Sequence, residues 1–201
     1  MHTITLTPVT HDACLRTAAE CLLAGGVVVI PTDTVYGLAA HPAHPEAVQR
    51  LYTIKGREEN KPIALLAADA AAVSRFGAQL SPDATRLSAA FWPGALTLVL
   101  ACEDGRTEGF RVQAHAWTRA LLAACGGVLR VTSANLSGAQ PAASAVAALQ
   151  SVGLDADLVI DDGASPGGVA STVVSVADRT PKILRAGAIA EHEIVAMTHD
   201  P

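Results

Sequence analysis

The sequence predicts an α/β fold in one domain, a mixed or parallel sheet flanked by helices, and three observations lead there. Helical and β-branched runs alternate early, and short strands cluster late. Half of the 201 residues are apolar but only 3% are aromatic, so the core must be built from Ala, Val, Leu and Ile, which suits closely packed helix on sheet. Glycine and proline are spread along the chain rather than gathered into a linker, and no segment repeats. The length favours a single unit over 1–201.

The elements follow in order. Apolar residues at 15, 18, 19, 22 and 23 give helical spacing over 12–23, and Gly25-Gly26 stops it. Val27-Val28-Val29-Ile30 is a buried strand ending at Pro31. A helix over 46–54 follows Pro45 and carries Ala47, Val48, Leu51 and Ile54 on one side. A short strand covers 63–66. Ser81-Pro82-Asp83 starts a helix: a capping hydroxyl, proline in the first turn, and an acid at the positive end of the dipole. Strands over 96–100 and 109–113 precede a helix over 117–124 that ends at Gly126-Gly127. Then come a strand over 128–131, a helix over 143–151, and short strands over 158–160, 172–176 and 182–184.

Composition limits function. The formal net charge of −5 argues against a protein devoted to gripping nucleic acid. Positive charge is scarce and local: Lys55 and Lys61 share one short stretch with Arg50 and Arg57. Glu58 and Glu59 between them also fit a solvated helix end. The N-terminal Met1–Thr5 lacks a basic segment followed by an apolar run, so no secretory leader is expected. Apolar runs are broken well short of a membrane span. The cysteines show no CxxC, and Cys14 and Cys21 share a helix face as core residues, which together fit a reduced, cytoplasmic setting.

Four groups carry chemistry. The strand over 27–30 delivers Thr32, Asp33, Thr34 and Tyr36 to its C-terminal end, where ligands of α/β sheets gather. Hydroxyls, a carboxylate and a phenol there could orient a small amino acid or nucleotide; a polar turn with local capping is the plainer alternative. Lys55-Gly56-Arg57 follows a helix, and glycine lets the backbone turn so that both cations face one point, suiting a triphosphate. Thr132-Ser133-Ala134-Asn135-Leu136-Ser137-Gly138 offers three hydroxyls and an amide for phosphate or ribose. Ser171, after Gly167-Gly168, and Arg185 add a hydroxyl and a cation. The phosphate fingerprints GxxxxGK[ST] and GxGxxG are missing, as is GxSxG. His41 and His44 sit among prolines, so no metal site is expected.

Taken in order, these segments resemble the YrdC family, specifically its threonylcarbamoyl-AMP synthases. The match runs through Gly26–Leu38, Lys55-Gly56-Arg57, Asn60-Lys61-Pro62, Phe91-Trp92-Pro93-Gly94, Leu96-Thr97-Leu98, Ser133–Gly138, Ser171-Thr172-Val173 and Ile183-Leu184-Arg185, covering about 12–190. The resemblance implies a twisted sheet around a positively lined cavity. It implies that L-threonine, bicarbonate and ATP, with Mg²⁺ on the phosphates, give threonylcarbamoyl-adenylate and pyrophosphate. A separate transferase complex would then modify the tRNA adenosine beside the anticodon, with tRNA contact by this chain weak or indirect. It places Lys55, Arg57, Lys61, Thr107, Ser133, Asn135 and Arg185 at ATP. Of these, Lys55, Arg57, Ser133 and Asn135 form the catalytic set. It places Thr32, Thr34, Tyr36, Arg111 and Ser171 at threonine.

The chain departs from the family pattern at Leu66, where many relatives carry histidine, and at Glu58, where proline is common. Two rival functions share the resemblance. One is an RNA-binding module, disfavoured by the charge and by the lack of an aromatic stacking platform. The other is a carbamoyl-adenylate-forming domain of the hydrogenase-maturation type, which would use carbamoyl phosphate and ignore threonine.

Overall fold

The computed structural model describes residues 2–152, 155–178 and 180–198. Ten strands, β1 (His2–Thr5), β2 (Val27–Ile30), β3 (Gly37–Ala40), β4 (Leu65–Ala67), β5 (Leu96–Ala101), β6 (Thr107–Arg111), β7 (Val128–Ser133), β8 (Leu158–Asp161), β9 (Thr172–Ser175) and β10 (Lys182–Arg185), form one sheet. Its order is β1-β8-β2-β3-β7-β4-β6-β5-β9-β10. The helices are α1 (His11–Leu23), α2 (Pro45–Lys55), α3 (Ala70–Arg75), α4 (Pro82–Phe91), α5 (Ala116–Ala124), α6 (Ala145–Ser151) and α7 (Glu191–Thr198). The sheet is mixed: β1–β8, β2–β8, β4–β6 and β5–β9 pair parallel, and the other neighbours pair antiparallel.

Side-chain alternation sorts the core by face. Val28 and Ile30 of β2 join Leu158 and Ile160 of β8 under α1 and α5. Val27, Val29 and Val159 face the other way, with α2 and α6. A third cluster covers the β5–β6–β9 half of the sheet, where Leu96, Leu98, Leu100 and Phe110 meet Leu87 of α4 and Ile194 of α7. Both faces of β2 are therefore covered, which is why its sequence is unbroken β-branched apolar. The helix start at Ser81 has the expected cap: its hydroxyl accepts from the Ala84 N–H at 3.2 Å. His41 and His44 have backbone partners, the Cys125 and Leu23 carbonyls at the ends of α5 and α1. No metal-binding group of three acidic, His or Cys side chains exists among the described residues.

The sheet is strongly curled. In the order above, β3 and β10 stand six positions apart, roughly 29 Å in a flat sheet at about 4.8 Å per strand. Yet residues of β3, β7, β4, β6, β5, β9 and β10 all line one pocket of about 430 Å³. Loops close it from the parallel-strand ends: the Gly168 N–H donates to the Thr34 carbonyl at 2.8 Å. Gly167 lies so close to that loop that a Cβ there would stand 2.8 Å from the Asp33 carbonyl oxygen.

Candidate functional site

The pocket floor is apolar, formed by Ile63, Ala64, Leu66, Val99, Gly109, Val131 and Val173. Its polar rim carries Thr32, Thr34, Thr97, Thr107, Thr132, Ser133 and Ser171, with three guanidiniums, Arg57, Arg111 and Arg185. A few convergent polar groups over an apolar base are the usual make-up of a small-molecule site. A second hollow of about 510 Å³, lined by Leu6, Thr7, Pro8, His11, Asp12 and Asp162, has no lysine or arginine in its wall and suits an anion poorly.

Each arginine is aimed by backbone. Gly56 closes α2 in the left-handed region at φ +56°, which turns the chain so that Arg57 leaves the helix axis. Arg57 Nε then donates to the Lys61 carbonyl at 2.8 Å, and Nη2 to the Pro62 carbonyl at 3.1 Å. Arg185 ends β10 and donates to the Ser171 carbonyl (2.7 Å from Nη2) and the Ser171 hydroxyl (3.1 Å). Neither arginine has an acidic partner within ion-pair distance among the described residues, so their charge faces the pocket uncompensated. Burial, and then the charge of Arg57, lower the Arg185 pKa below the ordinary guanidinium range.

Arg111 is the buried arginine of the three. Nε donates to the Gly94 carbonyl at 2.9 Å, Nη1 to the Thr34 hydroxyl at 2.9 Å, and Nη2 to the Asp33 carboxylate. Asp33 also accepts from the Ala114 N–H at 3.0 Å. Burial lowers the Arg111 pKa and Asp33 partly restores it. Of five N–H groups, two remain for a ligand. Thr32 shapes the same turn, its hydroxyl donating to the Val35 carbonyl at 2.6 Å and lying 3.2 Å from that of Thr34.

Several expected residues take other places. Lys55 does not line the pocket: it is 3% exposed, and Nζ donates to the Ser133 and Asn135 carbonyls, both at 2.6 Å. Its own carbonyl accepts from the Ser137 N–H at 2.8 Å. Lys55 thus ties the end of α2 to the turn after β7 and holds Ser133 at the pocket wall. Burial, then repulsion from Arg57, push its pKa down to about 8. The Asn135 amide is likewise turned into the turn, onto the Leu136 and Ala139 carbonyls. Lys61 is exposed and paired with Glu58 at 3.0 Å. Tyr36 is fully buried and borders the pocket, but its hydroxyl is engaged with Gly163 and Asp162, and its pKa is pushed up to about 12, chiefly by burial.

Two residues have roles at the site that the sequence reading did not assign. Thr97 lies on β5 with its hydroxyl 2.8 Å from that of Ser171. It is the one polar residue in Leu96–Leu100, and threonine passes there as an ordinary strand former. Asp33 was visible in its motif, but its role as the partner of Arg111 was not.

Fold and site together define a class: a mixed α/β sheet curled around a small-molecule pocket whose wall is cationic and rich in hydroxyls. The Sua5_yciO_yrdC family model, described as "Telomere recombination", matches residues 20–187, and the chain belongs to that family. Threonylcarbamoyl-AMP synthase of Bacillus subtilis is 33% identical over 94% of this chain and 57% of its own length. The Halorhodospira halophila protein of that name is 40% identical over 68% of this chain and 76% of its own. The structure of P. abyssi Sua5 complexed with L-threonine superposes with a TM-score of 0.89 at 28% identity, over 98% of this chain and 60% of that one. The chain therefore spans less than two thirds of the B. subtilis and P. abyssi proteins.

Proposed function

We propose that the chain makes L-threonylcarbamoyl-adenylate from L-threonine, bicarbonate and ATP, releasing pyrophosphate. The observation that carries this is the meeting of Arg57, Arg111 and Arg185 with the hydroxyls of Ser133, Ser171 and Thr34 around one hollow. The relatives named threonylcarbamoyl-AMP synthase support it.

In this reading the threonine ammonium group and bicarbonate condense to a carbamate with loss of water and a proton. A carbamate oxygen attacks the α-phosphorus, and pyrophosphate leaves. Positioning and charge neutralisation dominate such a transfer. Arg57 and Arg185, lacking acidic partners, offset phosphate charge, with Ser133 and Thr107 at the nucleotide. The two uncommitted N–H groups of Arg111 receive the threonine carboxylate, beside Thr32, Thr34 and Ser171. Tyr36 shapes that end of the pocket. Lys55 and Asn135 serve by fixing the turn that carries Ser133, and the Lys61 carbonyl helps to hold Arg57. Mg²⁺ enters on the nucleotide as part of the substrate: no carboxylate lines the pocket among the described residues, so the phosphates must supply its ligands. The product passes to a tRNA-modifying transferase in the cytoplasm. No helix among the described residues is long and apolar enough to cross a membrane.

The test is pyrophosphate release from ATP with threonine and bicarbonate omitted in turn. Both omissions should stop it. A rate indifferent to threonine, or driven by carbamoyl phosphate, would refute the proposal and favour the hydrogenase-maturation type; salt-sensitive RNA binding without turnover would favour an RNA-binding module.

A further inference from the structure

We infer that Thr97 is a specificity-determining residue, whose hydroxyl, coupled to that of Ser171, reads the β-hydroxyl of the amino-acid substrate. The inference rests on the function proposed above and adds a residue to it.

The argument is a count of protons. The Ser171 hydroxyl oxygen accepts from Arg185 Nη2 at 3.1 Å and lies 2.8 Å from Thr97 Oγ1. Both hydroxyls are buried, Ser171 at 5% and Thr97 at 6% exposure, and both line the pocket. Thr97 has no other side-chain hydrogen bond among the described residues. One of the two hydroxyl protons closes the pair, and the other has no protein acceptor. In one arrangement Thr97 donates to Ser171 and Ser171 donates into the pocket. In the other Ser171 donates to Thr97 and Thr97 donates into the pocket. The pair therefore always presents one donor and, on its other oxygen, a lone pair that can accept. An alcohol both donates and accepts, so it satisfies the pair; a methylene does neither and leaves a buried hydroxyl unpaired.

The surroundings fit the rest of a small β-hydroxy amino acid. Gly109, paired across the strands with Val99, keeps the wall beside Thr97 free of a side chain: a Cβ there would stand 3.7 Å from the Thr97 methyl and 3.2 Å from the Ala64 Cβ. Leu66 and Val131 continue that apolar floor, which can receive a methyl group. Arg111, with two free N–H groups, lines the same pocket.

The experiment compares Thr97→Val, which keeps the branched shape and deletes the hydroxyl, with Thr97→Ser, which keeps the hydroxyl. Pyrophosphate release is measured with L-threonine, L-serine and L-2-aminobutyrate, the last being threonine without its hydroxyl. Thr97→Val should lower kcat/KM about tenfold for threonine and serine, the loss of one buried neutral hydrogen bond. It should leave 2-aminobutyrate and the KM for ATP unchanged, and Thr97→Ser should restore discrimination. Equal losses for all three amino acids, or no loss for any, would overturn the inference. If the unsubstituted protein releases pyrophosphate without an amino acid, the proposed function itself fails, which is a separate outcome.

Discussion

Removing the Asp33 carboxylate tests how the site is held together. Asp33 is 14% exposed and Arg111 7%, so the pair is largely out of water. In Asp33→Ala the guanidinium stays desolvated with no counter-charge, and the Ala114 N–H loses its acceptor. Breaking a buried pair from one side costs about 3–5 kcal/mol. Arg111 keeps Thr34 and Gly94 as acceptors, so the low end, about 3 kcal/mol, is expected. For a chain of this size that is a fall in Tm of about 6–12 °C. Thermal melting followed by circular dichroism reads it directly. The double variant Asp33→Leu/Arg111→Met, which removes both charges, should recover much of the loss, and added phosphate should raise the melting temperature of Asp33→Ala more than that of the parent. A melt within about 2 °C of the parent would refute the reasoning. So would a double variant no more stable than the single one, because the loss would then lie in the turn and not in the stranded guanidinium.

Other outcomes follow from the same geometry. Lys55 should titrate near pH 8 by ¹³Cε NMR, against an ordinary 10.5, and Arg57→Ala should move it upward. Because the folded pKa is lowered, the unfolded chain binds more protons between about pH 8 and 10.5. The Lys55 contribution to stability therefore becomes more favourable as pH rises through that window, and pH-dependent urea unfolding checks the sign. Gly187→Ala would set a Cβ 2.4 Å from the Ser171 carbonyl carbon and the Thr172 nitrogen. It should lower pyrophosphate release and melting temperature together, and an unchanged rate would show that Ser171 does not need its present place. Arg57→Ala and Ser133→Ala should cut pyrophosphate release by about 100-fold and about tenfold with an unaltered circular dichroism spectrum, in line with a charged and a neutral hydrogen bond.

Much of the scaffold could be read from residues alone, where local chemistry is strong. Val27–Ile30 was bounded correctly because both faces of β2 are covered, and α4 announced itself through Ser81, Pro82 and Asp83. Four elements were not read. β3 is Gly-Leu-Ala-Ala, small residues without alternation that become a strand because β2 and β7 pair on either side. β1 is a short threonine-rich edge, α3 spans six residues, and α7 has only Ile194 buried. The strand read at 63–66 lies at Leu65–Ala67, shifted by its pairing with Arg130, Leu129 and Val128. At the site, Arg57, Ser133, Ser171 and Arg185, which stood out in the sequence, line one pocket with Thr107 and Arg111, which only the family resemblance had placed there. Lys55 and Asn135 do not join them, because spacing places a side chain near a turn without saying whether its tip faces the ligand or the backbone behind it. Thr97 was quoted within Leu96-Thr97-Leu98 but given no role, because its partner Ser171 is 74 residues away.

The curl of the sheet has a consequence for how the molecule opens. Arg57 follows α2, Arg111 ends β6 and Arg185 sits on the outermost strand, so an anion that touches all three fastens the rim strand β10 to the middle of the sheet. Occupancy then acts as a clasp. Amide hydrogens of β10, which only β9 holds on one side, should exchange far more slowly once the pocket is filled, while those of β2 and β8 on the far side change little.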